Sequence, residues 1–151
     1  MKKKWWRHLI AVSEEKNIGY LLLRLFIGVG MMTHGYGKFF GGPERWKGIG
    51  MAMGKLGINF LPTFWGFMAA FAEFFGGIFL VLGIFTPVFS FLIFFTMLVA
   101  AFFVHGGDSF SAREGALCHL FPSLLFMLKG AGRYSLDFLI FKSPGKRQTG
   151  R

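Results

Sequence analysis

Residues 87–104 read PVFSFLIFFTMLVAAFFV, an unbroken apolar run that contains no charged residue. An α-helix rises about 1.5 Å per residue, and roughly 20 apolar residues cross the hydrocarbon core of a bilayer. Pro87 suits the first turn of such a helix, where its missing N–H costs no hydrogen bond. This stretch therefore predicts a membrane-spanning helix that begins directly after the turn at Thr86.

Three further apolar blocks of similar length stand at residues 18–34, 60–85 and 112–128. Of the 151 residues, 54% are apolar and 22 are Phe, and the mean hydropathy is +0.53. A chain of this length normally makes one domain, and a soluble core of that size could not bury so much apolar surface. We therefore expect an integral membrane protein with four spans.

The N-terminal sequence MKKKWWRH is basic and resembles the start of a secretory signal peptide. The apolar stretch that follows stops at Ser13-Glu14-Glu15-Lys16, which makes it shorter than the roughly 7 to 15 residues of a signal core. We expect residues 1–17 to form a retained cytoplasmic arm that is attracted to the membrane surface. The net charge of +10 is explained in this way, and no nucleic acid is expected as a partner.

The Lys and Arg residues outside the spans predict the orientation of the chain. Eleven of them precede the first span or follow the fourth, and five lie in the loops on the other side. Because cytoplasmic segments carry the excess of positive charge, both termini are predicted to be cytoplasmic. The predicted fold class is an all-α transmembrane four-helix bundle, multi-pass in a bacterial-type plasma membrane.

The predicted outer loop, from Gly35 to Leu61, is rich in glycine. Its segment WKGIGMAMGKLGI has apolar periodicity and predicts a short interfacial helix on the outer surface. The predicted organisation is a basic arm at 1–17, a four-span membrane domain at 18–138 and a basic cytoplasmic tail at 139–151.

Glu73 is the acidic residue nearest the middle of a predicted span. A carboxylate at that depth is costly unless it is neutral or paired, so such residues face the interior of a bundle. Its helix face otherwise carries small residues, which allow another helix to approach closely. We expect Glu73 to act as a proton relay that is itself protonated or shares a proton with His34 or His105; a packing hydrogen bond is the alternative.

Further polar residues fall in the outer half of the predicted bundle and are expected to line a pocket around Glu73. They are His34, Lys38, His105, Glu114 and His119. Ordinary solvated helix caps are the alternative for His34 and His105. The sequence has no His-x-x-x-His or Glu-x-x-His pattern, so no metal site is predicted. Cys118 is the only cysteine, which excludes an internal disulfide, and we expect it to be a small buried apolar residue.

Arg24 and Asp137 both lie near the predicted cytoplasmic boundary. We expect Arg24 to be held by Asp137 or by the Ser135 region, after the chain folds back beneath the bundle. Gly130 and Gly132 are predicted to make that turn, because glycine is free to take positive φ. A snorkelling Arg24 and a solvated linker are the alternatives.

Four segments together resemble the DoxX family of four-span membrane proteins along residues 18–138. They are RLFIGVGMMTHGYGKFFGG, AAFAEFFGGIFLVLGIFTPV, LVAAFFVHGGDSF and EGALCHLFPSLLFMLKGAGRYSLD. One departure is Ala131, where the family pattern leads us to expect proline between two glycines. The resemblance implies an association with membrane oxidoreductase systems, including quinol- or thiosulfate-linked assemblies and thiol-handling complexes.

Three functions follow as hypotheses. The first is an accessory subunit of a membrane redox system, more a part of an oxidoreductase complex than an enzyme alone, with a quinone as its candidate cofactor. The second is a small proton-coupled transporter that uses Glu73 as its titrating group. The third is a structural anchor for an enzyme complex. The first and third predict stable protein partners in the bilayer, and a homo-oligomer is open as well.

Overall fold

The computed structural model describes residues 17–141, and every regular element in this range is helical. The α-helices are α1 (Ile18–Phe39), α2 (Gly42–Gly50), α3 (Pro62–Leu82), α4 (Thr86–Leu98), α5 (Phe110–Lys129) and α6 (Leu136–Phe141). A 3₁₀ segment, Met51–Leu56, follows α2, and α4 continues into a π-helical segment, Val99–Val104. The all-α prediction is confirmed for these residues. Residues 1–16 of the predicted arm and 142–151 of the predicted tail lie outside the described range.

Three helices are long and apolar enough to cross a membrane: Ile18–Phe39, Pro62–Leu82 and the continuous helix Thr86–Val104. These correspond to the first three predicted spans. The fourth predicted span, 112–128, lies within α5, which does not meet the same criteria in the described range. Its N-terminal half carries Arg113, Glu114 and His119, which lower its apolar character.

The helix boundaries follow from local sequence signals. Asn17 caps α1, since its side-chain Oδ1 accepts a hydrogen bond from the N–H of Gly19 at 2.7 Å. Pro62 and Pro87 stand in the first turns of α3 and α4, as predicted for Pro87. Gly83 ends α3 in the left-handed conformation with φ of +67°, where glycine avoids the strain of a Cβ.

The prediction that a loop begins at Gly35 is wrong, whereas a short helix is present within 46–58, where the sequence predicts one. α1 continues past Gly35 to Phe39, and α2 and the 3₁₀ segment occupy most of the remainder. The short helix packs against α3: a Cβ at Gly66 would lie 1.7 Å from the carbonyl oxygen of Trp46. Glycine therefore allows the two backbones to touch, and this contact holds the segment as helix despite its glycine content.

The four long helices share one apolar core. Its buried members are Ile27 and Met31 on α1, Leu80 on α3, Ile93 and Met97 on α4, and Leu120 and Phe126 on α5. α1 and α3 approach closely where a Cβ at Gly28 would lie 2.9 Å from the carbonyl oxygen of Gly77. Cys118 was expected to be buried, but it is exposed on α5, on a side that no described helix covers.

Candidate functional site

Glu73 lies on α3 with only 1% of the residue exposed, as expected for an interior position. Its Oε1 accepts a hydrogen bond from the Nζ of Lys38 on α1, at 2.6 Å. The expected partners were His34 or His105, so the partner differs from the prediction. The physical reason is that α1 continues about one turn beyond His34, which keeps Lys38 on the helix and beside α3.

Gly35 brings the two helices of this ion pair together. A Cβ at Gly35 would lie 2.4 Å from the backbone nitrogen of Phe74, the residue after Glu73. Real Cβ atoms do not approach backbone atoms this closely, so any larger residue would push α1 away from α3. The glycine is therefore what allows Lys38 to reach Glu73.

A cavity of about 620 Å³ borders this ion pair. Its walls come from α1, α2, the 3₁₀ segment, α3, α4 and the π-helical segment, and most of the lining side chains are apolar. The lining residues with polar side-chain atoms are Lys38, Trp65, Glu73, Thr96 and His105. This size and composition are typical of pockets for small organic ligands, which measure roughly 300 to 1,000 Å³.

Two buried polar atoms on the lining residues have no hydrogen-bond partner in the described structure: Oε2 of Glu73 and Nε1 of Trp65. Buried polar atoms are normally paired, and leaving one unpaired costs about 1 to 3 kcal/mol. One atom is an acceptor and the other is a donor. Sequence reasoning missed Trp65, although the spacing Trp65, Ala69, Glu73 places it on the same helix face.

An exposed edge of the cavity, which we call its mouth, carries His105, whose Nδ1 lies 2.8 Å from Oδ2 of Asp108. Both side chains are substantially exposed. Nearby, Nζ of Lys55 donates a hydrogen bond to the carbonyl oxygen of Val104, at 3.0 Å, where the π-helical segment ends. Such segments inside α-helices are frequent at functional sites, and here the segment forms part of the cavity wall.

The remaining predicted pocket residues lie elsewhere. His34 and His119 contact each other edge to face, with ring centroids 5.6 Å apart, and Nδ1 of His119 lies 2.8 Å from the carbonyl oxygen of Gly115. Glu114 is exposed on α5. These three residues do not line the cavity around Glu73. The predicted single pocket is therefore divided into two groups, because this part of α1 turns His34 towards α5 and Lys38 towards α3.

At the opposite end of the bundle, Arg24 is buried beneath the segment that follows α5. Its guanidinium donates hydrogen bonds to the carbonyl oxygens of Ala131 and Tyr134. Gly130 and Gly132 have φ of +77° and +76°, which confirms the prediction that they make this turn. The segment is thus held to α1 through its backbone.

Asp137 binds the turn between α3 and α4. Its two carboxylate oxygens accept hydrogen bonds from the N–H groups of Phe85, at 3.1 Å, and Thr86, at 3.4 Å. Phe85 has φ of +45°, a strained value for a residue with a side chain, so this support is needed there. Within residues 17–141 Arg24 and Asp137 form no ion pair within 4 Å. Burial raises the pKa of Asp137, while the two N–H groups and the charge of Arg24 act in the opposite direction.

Comparison with known proteins identifies the group to which this architecture belongs. A family model described as DoxX matches residues 19–106, from the start of α1 to the mouth of the cavity. The chain belongs to the DoxX family. DoxX proteins are membrane proteins, the three apolar helices are candidates for its membrane spans, and the resemblance noted in the sequence is confirmed.

A relative of this DoxX protein occurs in Haemophilus influenzae. It is described as an uncharacterized protein and is 33% identical over 137 residues, which covers 85% of this chain and 96% of the relative. No solved structure matches the chain. The function therefore has to be argued from the site.

Proposed function

We propose that this DoxX protein is an accessory subunit of a membrane redox system and binds a quinone head group at the Lys38–Glu73 end of the cavity. The observation that carries the proposal is a buried ion pair at the edge of a largely apolar cavity of about 620 Å³. Buried ionisable residues within membrane helices are costly and mark substrate or proton pathways by default.

The residues present fit such a ligand. The ammonium of Lys38 has three N–H donors, of which Glu73 takes one, and the side chain is 32% exposed, so it can donate to a ring carbonyl. Oε2 of Glu73 can accept from a ring hydroxyl after a small movement of the lysine. A flat ring with oxygen atoms at its edge matches this donor and acceptor pair, and the apolar lining matches its hydrocarbon part.

A bound quinone would supply two-electron chemistry that is coupled to two protons. Lys38 would orient the ring, and Glu73 would hold and pass a proton at Oε2. His105 and Asp108 are exposed at the outer mouth and would exchange protons with water there. The part of this chain would then be to position the head group and to connect it to the outer solution.

We further propose that α5 crosses the membrane as a fourth span, with both termini in the cytoplasm and the protein in the bacterial plasma membrane. Support comes from α5 itself, because its residues Leu120 and Phe126 belong to the core that the three apolar helices form. The two charged residues near its start, Arg113 and Glu114, would lie at the outer interface, where charges are less costly.

Purification of the tagged protein from native membranes in mild detergent, with partners identified by mass spectrometry, tests this proposal. A redox enzyme that co-purifies and requires Glu73 for electron transfer supports it. A redox partner whose electron transfer survives Glu73→Gln would instead favour a structural anchor. An absence of partners, together with proton-coupled uptake into vesicles, would favour a transporter.

A further inference from the structure

We infer that the cavity takes its ligand from the lipid phase, through an opening edged by Phe64, Phe91 and Phe95, and that the ligand is a neutral amphiphile whose apolar tail stays in this opening. The inference rests on the proposed function for the chemistry of the head group. It adds the route of entry, the charge of the ligand and the position of its tail.

The first argument is the position of the opening on the surface. Phe64, Phe91 and Phe95 line the cavity, yet they are 48%, 52% and 42% exposed. A side chain that both lines a cavity and faces outwards stands at its rim. The rim of this cavity therefore carries large apolar side chains on the outer face of the helices.

The second argument is depth in the membrane. Phe91 and Phe95 belong to the apolar helix Thr86–Val104, which carries no charged residue. At 1.5 Å per residue Phe91 lies about 8 Å from the start of this helix and about 20 Å from His105 at its end. This part of the rim is thus at the depth of the lipid tails, and a molecule that enters here comes from the bilayer.

The third argument is charge. The charges of Lys38 and Glu73, which line the cavity, neutralise each other. The hydroxyl of Thr96, a further polar lining group, already donates its hydrogen bond to the carbonyl oxygen of Leu92, at 2.9 Å. A phosphate group at this site would be attracted by Lys38, whose charge is already paired with Glu73, and would be repelled by the Glu73 carboxylate. A neutral head group with both donor and acceptor atoms avoids this cost. The site therefore selects a quinone-like amphiphile over an anionic phospholipid.

The test compares two probes with the full chain reconstituted in lipid nanodiscs. A benzoquinone with a polyprenyl tail is incorporated with the lipid, and the same ring without a tail is added from water. Each dissociation constant is expressed relative to the probe concentration in the phase that supplies it, lipid or water. We expect the constant of the tailed quinone to be at least about tenfold lower, because its tail adds apolar contact at the rim. A photoactivatable group at the tail should label Phe91 or Phe95.

A matched pair of variants tests the opening itself. In a Cys118→Ala background, Phe95→Cys and Phe102→Cys are each modified with a bulky maleimide. Both positions are exposed on the same continuous helix, but only Phe95 lines the cavity. Modification at residue 95 should weaken binding of the tailed quinone about tenfold, and modification at residue 102 should leave it unchanged.

The possible results separate this inference from the proposed function. Equal binding of the two probes, or equal effects at residues 95 and 102, would overturn lateral entry while leaving quinone binding intact. An anionic phospholipid that displaces the tailed quinone would overturn the assignment of a neutral ligand. If neither quinone binds to the unmodified protein, the proposed function itself fails, and the inference fails with it.

Discussion

Lys38 on α1 and Glu73 on α3 are 35 positions apart in the chain, and Nζ of the lysine lies 2.6 Å from Oε1 of the glutamate. The lysine is partly exposed, whereas the glutamate side chain is 2% exposed. The pair therefore connects the interior of the bundle with the cavity and its surroundings. This position compensates a buried charge, and it is the basis for the transfer of a proton that we propose.

Replacement of Lys38 by Met should destabilise the protein strongly, because it leaves the Glu73 carboxylate buried without its partner. Loss of one member of a buried pair typically costs about 3 to 5 kcal/mol. The double variant Lys38→Met/Glu73→Gln should regain most of that loss, since no uncompensated charge remains. Thermal unfolding of the purified protein in detergent would measure both effects. Lys47→Met, at an exposed position of α2, is the control and should leave the stability unchanged. If the double variant is no more stable than Lys38→Met, an uncompensated charge on Glu73 is not the cause of the loss.

Gly66→Ala should separate α2 from α3. The added methyl group would lie 1.7 Å from the carbonyl oxygen of Trp46, so the backbones must move, and overpacking of this kind costs about 1 to 3 kcal/mol. Gly48→Ala is the matched control, because a Cβ at that position would have nothing within 4 Å. The unfolding midpoint should fall for the first variant only. Equal midpoints would mean that the contact between α2 and α3 is looser than described.

The proposed orientation can be tested by cysteine labelling. In a Cys118→Ala background, Asp108→Cys should react with an impermeant thiol reagent that is added outside intact cells. Lys129→Cys, at the other end of α5, should react only when the reagent reaches the cytoplasmic face. Labelling of both positions from one side would show that α5 does not cross the membrane. Exclusively cytoplasmic labelling of position 108 would invert the proposed topology.

The apolar helices were predictable from the sequence, and so was a short helix within 46–58, but the packing of that short helix against α3 was not. Helix α4 is set by an uncharged apolar run with a proline at its start, and both signals are local. The segment that contains α2 is rich in glycine, which disfavours helix in isolation. The contact between Trp46 and Gly66 holds this segment as helix. Gly66 belongs to α3, so the sequence of the segment alone does not reveal the contact.

The site was predictable in part for a similar reason. The interior position of Glu73 follows from the small residues on its helix face. Its pairing with Lys38 depends on where α1 ends: a helix that stopped at His34 would have left the lysine in a loop. Trp65 shares a helix face with Glu73, but neither this spacing nor the sequence of the π-helical segment 99–104 indicates a cavity. Their part in the cavity becomes visible only when α2, α3 and α4 are packed together.

Asp137 should make the stability of the protein depend on pH. Burial raises its pKa in the folded state above the ordinary value of 3.8. Well below pH 3.8 the carboxyl group is protonated in both the folded and the unfolded protein. As the pH rises from 3.8 through the raised pKa of the folded state, the unfolded chain releases its proton first. The free energy of unfolding therefore falls over this range. Asp137→Asn remains neutral and should lack this decrease. Unfolding midpoints of both proteins across this acidic range provide the measurement, and parallel curves would contradict the assignment.

Glu73→Gln should abolish electron transfer by the complex while leaving the protein assembled. Glutamine has almost the shape of glutamate, and its carbonyl oxygen can still accept from Lys38, which is exposed enough to remain charged without a counter-ion. Glutamine cannot titrate, however, so a proton pathway through Oε2 would be interrupted. Quinone-dependent electron transfer by the purified complex should therefore fall to background, whereas membrane content and partner recovery should match those of the parent protein.

Two further variants separate the proton from the packing at this position. Glu73→Leu should lower both activity and protein content, because it leaves Lys38 without an acceptor and changes the contact between α1 and α3. Glu44→Gln removes an exposed carboxylate from α2 and should change neither. If Glu73→Gln transfers electrons as the parent does, Glu73 contributes only a packing interaction. The protein would then serve its complex as an anchor, and the cavity would have to act without a titrating group.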